Sequence, residues 1–157
     1  LLRKGPENVP ASVTVLLFAI GLLLLSFFCS AVLISDSGND NLSLSFLVTI
    51  SSYALYWLIL VISGYARRLL PTISSIMACG SLLTILQVAA QVFLGPFLSL
   101  NLTFIVAWLI EIWKIPVKGH IIASAIGRHW YVGIAIAMTI FVMQYAAYRA
   151  LMAPATT

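Results

Sequence analysis

The chain has 157 residues, of which 62% are hydrophobic and 8% charged, and its mean hydropathy is +1.12. A water-soluble domain of this length is about half apolar and about a quarter charged, so the polar residues here are too few to cover an aqueous surface. The formal charge of +4 rests on eight Lys and Arg, most of them at the ends of apolar runs. That placement speaks of membrane topology rather than a nucleic-acid-binding face.

The fold class expected is all-α: a polytopic membrane protein in a single domain. Runs such as VTVLLFAIGLLLL lack the alternation of a transmembrane β-barrel. The opening LLRKGPENVP reads as a short interfacial segment broken by Gly5, Pro6 and Pro10, with Arg3 and Lys4 favouring the cytoplasmic side. A first span is expected over residues 12–34, with Ser12 able to cap it. It is too long for the apolar core of a signal peptide and is read as a retained helix. A loop carrying Asp36 and Asp40 follows, then a second span over 45–66 with Tyr53, Tyr56, Trp57 and Tyr65. Arg67, Arg68 and Pro71 mark a tight basic turn into a third span, 73–94, which Gly95 and Pro96 close.

The fourth span is placed at 102–117 and the fifth at 131–151. Spans of roughly 20 residues match a hydrocarbon core of about 30 Å at 1.5 Å per residue. The fourth either stops near Lys114 or continues as a longer helix. One side of the membrane collects Arg3, Lys4, Arg67, Arg68, Lys114, Lys118 and Arg128, against Arg149 alone on the other. This bias predicts a cytoplasmic N terminus and an external C terminus, with Lys114 the weakest vote. No internal repeat is visible. Small residues four apart (Ser75 with Cys79, Ala123 with Gly127, Gly133 with Ala137) would permit close helix approach.

Glu111 is the most informative residue, because a charge near the bilayer centre costs about 2.5–3.5 kcal/mol and normally faces protein or water. Counting along the spans puts it roughly 13 Å deep, with Gln87 and Gln144 roughly 9 Å below the same outer edge and Ser26 and Ser52 at similar depth. An intramembrane polar layer of Glu111, Gln87, Gln144 and Lys114 is therefore expected. Two readings of it stand. In one, Glu111 binds a proton or cation, surrounded by Gln87, Gln91 and Gln144. In the other, which is preferred, Glu111 pairs with Lys114 or Lys118 on its own helical face and the glutamines bond between helices.

Pro116 removes a backbone donor and should break or bend the fourth helix. Lys118, His120 and Arg128, with His129, frame HIIASAIGRH, which is read as a cytoplasmic-face segment contacting lipid headgroups. Two histidines without a third ligand do not make a metal site, and Cys29 and Cys79 read as small packing residues. The sequons at Asn41 and Asn101 lie too near the bilayer to favour use. No catalytic set, phosphate-binding glycine loop or cofactor motif is visible, so no enzyme activity, cofactor or metal is expected.

The short polar N terminus, five closely spaced spans, Gly-Pro-Phe at 95–97, and Trp108 followed by His120 resemble the Yip1-type family of small membrane proteins. GPENVPAS also resembles the start of small proteobacterial inner-membrane proteins. The resemblance implies a five-helix architecture in a bacterial inner membrane and carries over no site residue. The leading expectation is a membrane scaffold, assembly factor or accessory subunit, in contact with the lipid bilayer and with other membrane subunits or itself, and with no nucleic acid. The alternative is a small oligomeric channel or an ion- or proton-coupled carrier using Glu111.

Overall fold

The computed structural model describes residues 13–33, 42–65 and 68–152, which form five α-helices and no strand. These are α1 (Val13–Leu33), α2 (Leu42–Ile62), α3 (Leu69–Leu94), α4 (Leu100–Ile126) and α5 (Trp130–Met152). The expected loop at Asp36 and Asp40, the Ser12 cap, the Arg3–Lys4 pair, Arg67 and the Asn41 sequon lie outside the described residues. Four helices, all but α4, are long and apolar enough to cross a membrane.

Exposed large side chains run along every helix, among them Phe18, Ile62, Phe93, Phe104, Trp113 and Tyr131. In water such a surface would drive association, whereas lipid chains solvate it at no cost.

α3 and α4 form the centre. α1 packs chiefly on α3, α5 on α4, and α2 bridges α5 and α3. The bundle divides along its length. Towards one end Tyr56 and Leu60 of α2, Ile76 of α3, Ile122, Ala125 and Ile126 of α4 and Ile140 of α5 make a dry apolar core. A smaller cluster of Ala19, Leu23 and Met77 joins α1 to α3. Arg68 ties this end together by donating from Nη1 to the carbonyl of Ala125 at 3.3 Å. Its guanidinium also sits 5.8 Å from the Tyr65 ring centroid, within cation–π range.

α4 differs from its expected span. It continues as a single helix past Val117 to Ile126, and Pro116 lies inside it. A break at Pro116 is therefore not found. Proline costs the helix one donor to the carbonyl of Ile112, and the packing of the following turns outweighs that loss: Gly119, Ile122, Ala123, Ala125 and Ile126 are all buried.

The helix ends at Gly127, whose φ of 62° is the left-handed conformation that glycine adopts without a Cβ penalty. The amides of Gly127 and Arg128 both donate to the carbonyl of Ala123, satisfying an otherwise orphaned acceptor. Ile122, Ala123, Ala125 and Ile126 thus belong to the bundle core as part of α4, rather than to a separate segment after it.

α4 and α5 meet more closely than side chains normally allow. A Cβ on Gly119 would stand 2.8 Å from the Ile134 Cα, and one on Gly133 would collide with the Gly119 carbonyl and stand 2.7 Å from the Ala123 Cβ. The crossing therefore sets Gly119 and Ala123 of α4 against Gly133 and the Ile134 backbone of α5, with Ala137 buried one turn further along α5. Of the expected small-residue pairs, Gly133 with Ala137 serves packing, whereas Gly127 serves as the helix cap.

Candidate functional site: a polar cavity in the bundle

Above the dry core the helices part around a cavity of about 330 Å³. Each wall is a run of residues spaced for one helical face: Ser26 and Ser30 on α1, Ser45, Thr49 and Tyr53 on α2, Ser81, Thr84 and Gln87 on α3, Glu111, Lys114 and Lys118 on α4. Gln144 is the contribution of α5. The eight helical steps from Ser45 to Tyr53 give the cavity a length of about 12 Å along the helix axis. Its volume is that of roughly ten waters at ~30 Å³ each, and lies at the lower end of the range for small-molecule sites. Phe27 of α1 stacks edge-on against Phe46 of α2 beside it, at 5.1 Å between centroids.

Gln87, Glu111, Lys114 and Gln144, expected as one layer, line this one cavity. Lys114 is its centre. The side chain is 9% exposed, and its Nζ donates to Glu111 Oε2 at 2.5 Å and to Gln87 Oε1 at 3.0 Å. The ion pair sits one helical turn apart on α4, while the bond to Gln87 crosses to α3, so one ammonium anchors both central helices. Glu111 remains 36% exposed, with its second oxygen open to other partners.

Lys118 departs from its expected place. It does not join His120 and Arg128 at a lipid-facing surface. It lines the cavity, and its Cε lies 3.6 Å from where a Cβ on Gly80 would stand. Gly80 leaves room for this chain, and the Tyr53 hydroxyl flanks the same spot at 3.4 Å. Among the described residues no hydrogen bond or ion pair reaches the Lys118 Nζ. His120 and Arg128 are exposed.

The hydroxyls divide by how their protons are used. Ser26 donates to the Leu23 carbonyl at 2.7 Å and Thr84 to the Gly80 carbonyl at 3.0 Å, so each offers the cavity lone pairs only. Ser81 is different: it is 1% exposed, lines the cavity, and its Oγ has no hydrogen-bond partner. Ser52, expected near the layer, does not line the cavity and bonds to the Thr49 carbonyl within α2. Gln91 also lies off the cavity, with a buried, unpartnered Oε1.

Ser81 is thus the site residue that residue-by-residue depth counting missed, while Lys118, expected as an alternative partner of Glu111 on their shared face, enters the cavity without making that pair. The signal was present in spacing: positions 111, 114 and 118 share a face, and so do 81, 84 and 87. No group of three or more His, Cys, Asp or Glu placed to hold a metal occurs among the described residues, where Cys29 and Cys79 are free thiols. Comparison with protein-family models, with curated proteins and with solved structures finds no match to this chain.

Proposed function

We propose that this chain is an integral membrane protein that binds a small polar solute in the cavity between its helices, as a compact carrier or channel. The observation that carries this reading is the cavity itself: five helices turn polar side chains inward at the same level of an otherwise apolar bundle. A protein whose helices served only to pack would gain by filling such a space, since each lost contact and each buried polar group costs stability. All five helices cross the bilayer in this reading, including α4, whose Glu111, Lys114 and partly buried Lys118 are carried across by facing the cavity rather than lipid. The N terminus lies on the cytoplasmic side of a bacterial inner membrane, and the resemblance to Yip1-type proteins lends no residue to the site.

One observation favours the second reading, a scaffold or accessory subunit. Glu111, the carboxylate a proton-coupled carrier would need, is neutralised by Lys114 on its own helix. The two readings part in one experiment. The purified full chain is reconstituted in liposomes and tested for uptake of a panel of small neutral and charged polar solutes, beside Thr84→Leu, which fills the cavity. Uptake of at least one solute, reduced severalfold in Thr84→Leu, is expected. A chain that moves no solute and is unchanged by filling the cavity is a scaffold.

A further inference from the structure

The polar groups around the cavity are not balanced between donors and acceptors. Two ammonium groups, Lys114 and Lys118, face it against one carboxylate, Glu111. Lys114 spends one proton on Glu111 and one on Gln87, which leaves its third directed elsewhere. With Lys114 and Glu111 offsetting one another, the charge of Lys118 is in excess, carrying three N–H donors that no acceptor among the described residues takes. The buried Ser81 hydroxyl adds a further unspent donor. The acceptors that would compete are partly withdrawn: Gln87 Oε1 is already bonded to Lys114.

An ammonium partly withdrawn from water with no protein acceptor is unfavourable, and a buried hydroxyl without a partner adds to that cost. Both penalties vanish if a ligand brings negative charge and acceptor oxygens. A cation meets the reverse: two ammonium groups face the cavity against one carboxylate, whose charge Lys114 already offsets. We infer that the cavity holds an oxyanion, a phosphate group, bound to Lys118 and Ser81 with the third proton of Lys114. This rests on the solute-binding reading of the cavity and names the class of solute.

The volume suits a group of several heavy atoms and leaves a halide loosely held. A phosphate group reaches such a place from two sources, as a free anion from water or as the headgroup of an anionic lipid entering between α1 and α2. These two helices pack mainly on other elements, α1 on α3 and α2 on α5 and α3, rather than on each other.

The test uses the full chain purified in uncharged detergent, and reads the thermal midpoint in three arms. These are inorganic phosphate against potassium chloride of equal ionic strength, mixed micelles containing phosphatidylglycerol against phosphatidylcholine, and neutral glycerol. Wild type should be stabilised by phosphate or by phosphatidylglycerol, and the arm that responds identifies the source. Lys118→Met should weaken that binding about tenfold or more, as expected for loss of a charged hydrogen bond, and Ser81→Ala severalfold. Neither substitution should lower the ligand-free midpoint, because neither removes a bond made within the protein. If Lys118→Met fails to fold, Ser81→Ala makes the same comparison.

Absence of a shift with either anion overturns the inference, as does an equal shift in wild type and both variants. Stabilisation by glycerol alone, with uptake of a neutral solute, overturns the anion and leaves the solute-binding reading in place. No shift in any arm, together with no uptake in liposomes, removes both.

Discussion

Truncating Lys114 would strip two oxygens of their donor at once, Glu111 Oε2 and Gln87 Oε1. Breaking a buried pair by removing one partner costs about 3–5 kcal/mol, and the partial exposure of Glu111 brings the expected cost of Lys114→Met nearer to roughly 2 kcal/mol. Glu111→Gln should cost less, about 1 kcal/mol, because an amide oxygen still accepts from Lys114 and the bond to Gln87 survives. Unfolding by a denaturing detergent measures both, and equal losses would mean that the ion pair, not the bridge to α3, does the holding. The pairing of Glu111 with Lys114 was legible in the sequence because residues three apart share a helical face. The place of Lys118 was legible only in part: spacing put it on the face of Glu111, but charge near the end of an apolar run also reads as topology, and the small Gly80 across the interface shows that the long side chain is folded inward there.

Among the helices, α4 carries the largest difference between pattern and structure. Its hydrophobic count falters at Lys114 and Pro116, yet it runs 27 residues, about 40 Å at 1.5 Å per residue. What extends it is tertiary. α5 lies against it through Gly119, Ala123 and Gly133, a contact between backbones that hydropathy does not register. Gly133→Ala should therefore destabilise the bundle by about 1–3 kcal/mol or more, since the added carbon meets backbone that no rotamer change can move. Gly21→Ala is the matched control: nothing lies within 4 Å of its Cβ position, and removing a helical glycine there should be neutral or gain up to about 1 kcal/mol. Thermal melts of the two proteins in the same detergent decide it, and similar midpoints would refute the close crossing. Helix number and order followed directly from apolar runs and their Gly and Pro punctuation, because lipid requires whole helices and tolerates no irregular backbone between them.

For the whole molecule, the inward place of Lys114 and Lys118 changes the topology argument. Removing these two from the seven basic residues assigned to one side leaves Arg3, Lys4, Arg67, Arg68 and Arg128 against Arg149, so the bias survives on loop and terminal residues alone. Single cysteines at Arg128 and at Leu98, in a chain whose own Cys29 and Cys79 are replaced by alanine, should react with an impermeant thiol reagent from opposite faces of sealed inverted vesicles. Labelling of both from one face would mean that α4 does not cross. The lengthwise division of the bundle, polar cavity at one end and dry core at the other, has an electrical consequence once it stands in a bilayer. Water in the cavity would bring its floor to the potential of the adjoining compartment, so the membrane voltage would fall almost entirely across the sealed half. A charge entering as far as Lys118 would cross little of that field, while one passing Tyr56 and Ile122 would meet most of it, worth about 2.3 kcal/mol per elementary charge at 100 mV. Occupancy of the cavity would then be nearly independent of voltage, and any passage through the core strongly dependent on it.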